Sequence, residues 1–129
     1  GGMNHILLPG RGMDQGVGAS FAVNAMELLI NALLREGAER ERLTAKLFGG
    51  AQMIEGLGDI GRRNAEVTSE FLAKEGIPCV STSLGGTRGR RIQFWPATGR
   101  ARQMLLSDRD APREEVRTPK PHASDLELF

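Results

Sequence analysis

The chain has 129 residues, 40% of them hydrophobic, which suits one domain with a core of its own. Seventeen Lys and Arg against sixteen Asp and Glu leave a formal charge of +1, so global charge argues for neither a nucleic-acid nor a membrane-surface partner. One cysteine and two histidines exclude a disulfide framework and a zinc pattern, imply no cofactor, and fit a reducing, cytoplasmic compartment.

No apolar run approaches the ~20 residues of a membrane span. The chain opens on Gly1-Gly2, a polar pair ending in His5, and the apolar run Ile6-Leu7-Leu8. This reads as a glycine turn leading into a short strand over residues 3–8, stopped by Pro9-Gly10. A histidine where a turn becomes a strand, with glycines admitting a close neighbour, is a reasonable acid/base position. A hydrogen-bonded structural histidine is the alternative. Residues 9–18 hold four glycines and are expected to form a loop.

The spacing predicts a helix over residues 19–36. Ala22, Met26, Leu29, Ile30, Leu33 and Leu34 form its apolar face, and Ser20, Asn24, Glu27, Asn31 and Arg35 a polar stripe. Gly37 stands where a left-handed cap belongs. A strand is expected over 43–48, ended by Gly49-Gly50. A second helix is predicted from 59 or 60 to 75, with Asp59 at the N-cap and Gly76 after its end. Asn64 falls in line with Ile60, Val67 and Phe71, where its amide is expected to satisfy nearby backbone groups or to brace a site. A strand over 77–82 closes on Leu84-Gly85-Gly86, echoing the first helix–strand–glycine unit.

Residues 90–95 and 100–106 read as a hairpin around Pro96-Ala97-Thr98-Gly99. Residues 1–106 are thus read as the domain. Residues 107–129, with three prolines and mixed charge, are read as a disordered tail. Its end, Asp125-Leu126-Glu127-Leu128-Phe129, is expected to be solvated, docking on a partner being the alternative.

Other candidates are weighed in the same way. Arg88, Arg90 and Arg91 can bind phosphate or an acidic surface, but a solvated sheet edge is expected. Trp95 alone makes no base-stacking platform, so no nucleic-acid partner is implied. The Gly-Gly pairs open no phosphate loop and suit close backbone packing near a site. Cys79 alternates with Ile77 and Ser81 and is expected to be buried and inert. His122 lies in the tail and is expected to be solvated.

Taken in order, five blocks carry a resemblance. They are Gly1-Gly2-Met3-Asn4-His5-Ile6-Leu7-Leu8-Pro9; Asn24-Ala25-Met26-Glu27-Leu28-Leu29-Ile30-Asn31; Lys46-Leu47-Phe48-Gly49-Gly50-Ala51-Gln52-Met53; Ile60-Gly61-Arg62-Arg63-Asn64-Ala65; and Gly85-Gly86-Thr87-Arg88-Gly89-Arg90-Arg91-Ile92-Gln93-Phe94 with Thr98-Gly99. Together they resemble the CheD family of chemoreceptor glutamine deamidases. The resemblance implies an α+β fold, with mixed β-sheets packed as a sandwich and flanking helices. It also implies hydrolysis of glutamine side chains on methyl-accepting chemotaxis receptors by a cysteine thiolate, with a histidine partner and a supporting threonine. His5 matches the family's catalytic histidine. A CheC-type phosphatase of CheY is a further implied partner.

In the family the nucleophile and threonine precede the histidine motif, in a Thr-Leu-Gly-Ser-Cys type segment. Residues 1–4 hold neither, and Cys79 lies in a different motif. The chain is therefore expected to be an N-terminally incomplete domain, inactive as written. A non-catalytic binding module for the phosphatase or for chemoreceptors is the alternative.

Overall fold

Two helices pack on a parallel strand pair, and an antiparallel sheet follows in the chain. The computed structural model describes residues 1–7, 15–52, 59–107 and 126–129. The elements are α1 (Gln15–Arg35), a 3-10 turn (Arg40–Arg42), β1 (Ala45–Gly49), α2 (Ile60–Glu75), β2 (Cys79–Leu84), β3 (Arg90–Trp95), β4 (Arg100–Leu105) and β5 (Leu126–Leu128). Strands β1 and β2 pair in parallel, and β3, β4 and β5 form an antiparallel sheet in that order. This is the α+β mix expected.

Helix α1 follows its apolar spacing. Ala22, Met26 and Ile30 are buried four residues apart, while Ser20, Asn24, Glu27, Asn31 and Arg35 are all exposed. It ends as the sequence indicates: Gly37 takes φ +98°, and the Ala38 N–H returns to the Leu33 carbonyl at 2.9 Å. Helix α2 ends the same way, with Gly76 at φ +67° and the Ile77 N–H on the Leu72 carbonyl at 2.9 Å. Met26 and Ile30 meet Phe71, Leu72 and Ile77 in the core, with Ile6, Leu43 and Leu47 packed around them. Full burial of such a side chain contributes about 1.5–3 kcal/mol.

Helix α2 is the crossover that a parallel pair requires. It returns the chain so that Gly49 lies opposite Leu84, and the repeated helix–strand–glycine pattern becomes two strands side by side. The β3–β4 hairpin has the expected turn, with the Gly99 N–H on the Trp95 carbonyl at 2.8 Å and Gly99 at φ +73°. The two sheets meet where Lys46 Nζ donates to the Gly99 carbonyl at 2.8 Å and Phe48 stands edge-on to Phe129, centroids 5.1 Å apart.

Several expectations are corrected. Residues 3–7 form no strand, and Leu8 lies outside the described residues. Asn4 is tied to α1 instead, its Nδ2 donating to the Ala25 carbonyl. Helix α1 begins at Gln15, before the expected start, because glycine in a first turn costs only about 1 kcal/mol. Strand β2 begins at Cys79 because Ile77 closes the helix cap and Pro78 has no N–H for a ladder. Asp59 precedes α2 as expected but makes no side-chain cap; its carboxylate pairs with Arg62 at 2.9 Å. The chain's last residues are not free: Leu126–Leu128 add a strand to β4. Residues 108–125 of the proposed tail, with His122, lie outside the described residues.

Candidate functional site

His5 is held from both sides. Asn4 Nδ2 donates to the Ala25 carbonyl at 3.0 Å, and Ile6 packs against the core. The glycines ahead of it allow close approach: a Cβ on Gly2 would lie 2.9 Å from Leu29 Cδ1, and one on Gly1 would lie 3.1 Å from Phe94 Cζ. The Gly1 nitrogen also donates to the Pro96 carbonyl at 2.8 Å. Between these anchors the imidazole is exposed. It is therefore not a core histidine.

A second feature lies at the carboxyl ends of β1 and β2. The Gly85 N–H donates to the Gly49 carbonyl and the Gln52 N–H to the Gly86 carbonyl, both at 2.9 Å. Gly49, Gly50, Gly85 and Gly86 all have positive φ, which glycine alone adopts without strain. Half-buried Arg90 locks the two turns together. Its guanidinium donates to the Gly85 carbonyl at 2.9 Å, the Gly49 carbonyl at 3.2 Å and Ser83 Oγ at 3.3 Å. Burial pushes the Arg90 pKa below its ordinary value, and the negative charge of Glu127 opposes that shift.

These turns and the start of α2 enclose an open cleft of about 530 Å³, bounded by Gly50, Gln52, Gly85 and Gly86 on one side and Asp59, Arg62, Glu66 and Ser69 on the other. Three glycines leave much of one wall as backbone, beside Gln52 and Leu84, so a group entering there meets backbone atoms and the polar rim of α2. Arg62 bridges Asp59 at 2.9 Å and Glu66 at 3.7 Å along that rim. Gly61 was missed as a site-forming residue. Its signal was a glycine in the first turn of an otherwise good helix, which marks a close backbone approach.

Two of the three arginines are not the solvated edge expected. Arg88 is half-buried and donates to the Leu106 and Leu105 carbonyls at 2.8 and 3.2 Å, Arg90 is the clamp just described, and Arg91 is exposed. The expectation for Cys79 is also overturned. The thiol is exposed at the first position of β2 and lies 3.5 Å from the Ser81 carbonyl. Among the described residues, no hydrogen bond or ion pair joins His5 to Cys79. The Asn64 amide is not satisfied as expected: its Oδ1 is buried without a partner among the described residues, and it is the Asn64 backbone carbonyl that receives Thr68 Oγ1, at 2.7 Å. Among the described residues, no three His, Cys, Asp or Glu side chains are placed to hold a metal ion, and no helix is long and apolar enough to cross a membrane.

The fold is an α+β domain with an accessible histidine and a glycine-walled cleft at the ends of a parallel strand pair. The family model described as CheD chemotactic sensory transduction matches residues 7–104, and the chain belongs to that family. A protein of Caulobacter sp. (strain K31) named "Probable chemoreceptor glutamine deamidase CheD" is 51% identical over 137 aligned positions, covering all of this chain and 72% of that relative. A protein of the same name from Agrobacterium fabrum (strain C58 / ATCC 33970) is 49% identical, covering all of this chain and 75% of the relative. One from Acidiphilium cryptum (strain JF-5) reaches 61% over 83% of this chain and 58% of its own length.

Proposed function

We propose that this chain carries the histidine half of a cysteine–histidine deamidase that converts chemoreceptor glutamines to glutamate. The observation that supports the reading best is 51% identity, across the whole chain, to a relative bearing that name. The placement of His5 agrees with it, since a segment anchored through Asn4 and Ile6 presents an exposed histidine, which suits proton transfer to a docked protein.

In this reading His5 draws the proton from the family's thiol. The thiolate attacks the carboxamide carbon of the receptor glutamine, and the imidazolium returns its proton to the departing ammonia. Water, deprotonated by the same imidazole, then opens the thioester to glutamate and free thiol. Backbone N–H groups would hold the oxyanion. Residues 1–106 form the deamidase domain, working in the cytoplasm on methyl-accepting receptors, with a CheC-type phosphatase as a further partner.

Cys79 is not the nucleophile in this scheme. By the family's order the thiol precedes the histidine motif, whereas Cys79 follows His5 in the chain. The test is made on the product of the whole reading frame, with a purified receptor cytoplasmic fragment as substrate. Glutamine-to-glutamate conversion is followed by peptide mass spectrometry and ammonia release. His5→Ala should abolish turnover, and Cys79→Ser should leave it nearly unchanged. An inactive parent, substantial turnover by His5→Ala, or loss of activity in a folded Cys79→Ser variant would overturn the assignment.

A further inference from the structure

We propose that Asn4 is a positioning residue of the reaction: the hydrogen bond from its side-chain amide to the Ala25 carbonyl sets the direction in which His5 is presented to the substrate. This rests on the deamidase reading and adds to it a residue that acts only through His5.

Alternate residues around His5 touch the fold. A Cβ on Gly2 would lie 2.9 Å from Leu29 Cδ1 and 3.3 Å from Leu33 Cδ2, Asn4 Nδ2 lies 3.0 Å from the Ala25 carbonyl oxygen, and Ile6 packs on the core. The residues between them are exposed, Met3 at 60%, His5, and Leu7 at 70%. An alternation of this kind has a period of two, so a slip by one position would exchange the two sets and turn His5 toward the fold.

Of these contacts, only that of Asn4 is directional. The approach of Gly2 to the leucines and the packing of Ile6 are apolar, and apolar contacts tolerate small slides and rotations. A hydrogen bond weakens steeply as its angle closes, so it holds one register and one orientation. Among the described residues, residues 2–7 make no other hydrogen bond, and the residue that makes this one is the neighbour of His5.

Helix α1 does not need the bond. Ala25 stands in the body of the helix, where its carbonyl already receives the N–H of the next turn, and the Asn4 amide takes the second lone pair. With the helix satisfied either way, what the bond holds in place is the segment that carries His5.

Positioning of this kind acts on kcat. Proton transfer from the thiol to the imidazole, and from the imidazolium to the departing ammonia, needs hydrogen-bond reach. A misplacement of about 1 Å can cost ~10²-fold in rate. Binding of the receptor draws on a wider surface and does not depend on where one imidazole points.

The test uses the product of the whole reading frame, the purified receptor cytoplasmic fragment, and the variants Asn4→Ala, Asn4→Asp and Asn4→Gln. The aspartate keeps the shape but has no N–H for a carbonyl, whereas the glutamine keeps the donor on a longer stem. Asn4→Ala and Asn4→Asp should lower kcat about 10- to 100-fold with KM changed less than ~2-fold, and Asn4→Gln should recover most of the loss. Because Asn4 is exposed, each variant should keep the wild-type circular dichroism spectrum. With an active wild type, a folded Asn4→Ala variant of unchanged kcat, a loss confined to KM, or an Asn4→Gln variant as impaired as Asn4→Asp would overturn the proposal and leave the deamidase reading standing. Unfolding of Asn4→Ala would make the bond a structural one and overturn the positioning role. A wild type without turnover would overturn both readings.

Discussion

Gly50 and Gly61 meet backbone to backbone. A Cβ on Gly61 would lie 2.8 Å from the Gly50 carbonyl carbon and 2.7 Å from the Ala51 oxygen, and one on Gly50 would lie 2.9 Å from the Gly61 oxygen. The end of β1 can therefore touch the first turn of α2, which places the rim of the cleft.

Gly61→Ala should destabilise the fold. Helix propensity alone would favour alanine by about 1 kcal/mol. The overlap is with backbone, which cannot rotate away, and overpacking of this kind costs about 1–3 kcal/mol. Urea unfolding followed by circular dichroism should show a lower midpoint at unchanged slope. A higher midpoint would show that the approach is looser than described.

Arg90→Lys should not behave as a conservative change. The guanidinium serves Gly49, Gly85 and Ser83 at once, and an ammonium cannot match that planar geometry. Stranding these half-buried acceptors should cost about 1–3 kcal/mol. Amide exchange at Gly85 and Gln52 should rise more than exchange in the core of α2.

Core and surface should respond very differently along the same helices. Leu72→Ala, at a side chain 3% exposed, is expected to cost about 2–5 kcal/mol in urea unfolding. Leu28→Ser, on the open face of α1 at 58% exposure, should stay within about 0.5 kcal/mol of wild type.

The thiol of Cys79 should react with a disulfide reagent in the folded chain at nearly the rate of the unfolded chain. Cys79→Ser should change stability by less than about 0.5 kcal/mol. Strong protection in the native state would show that the position is covered.

Local rules made much of this fold legible. Gly37 and Gly76 ended their helices as left-handed caps, Pro96 to Gly99 marked the hairpin, and the apolar spacing of α1 named its buried face. What escaped depended on contacts distant in sequence. Ile6 looked like a strand residue because an apolar run carries no sign of whether its backbone will pair. Leu126–Leu128 looked solvated because its partner, β4, is not local and its composition resembles a terminus. Arg90 looked like an edge charge because no pattern shows that three acceptors will converge on one guanidinium. For the site, the ordered motifs singled out His5, and the structure adds its exposure. The glycine-walled cleft emerged only when β1 and β2 were side by side.

Arg90 opens the antiparallel sheet yet spends its donors on the ends of the parallel pair. The turns after β1 and β2 therefore stay incompletely bonded until the chain beyond them has arrived. This makes assembly of the two sheets cooperative: neither reaches its final hydrogen bonding alone. Heating should melt them in a single transition, with the signals of both sheets lost at one temperature.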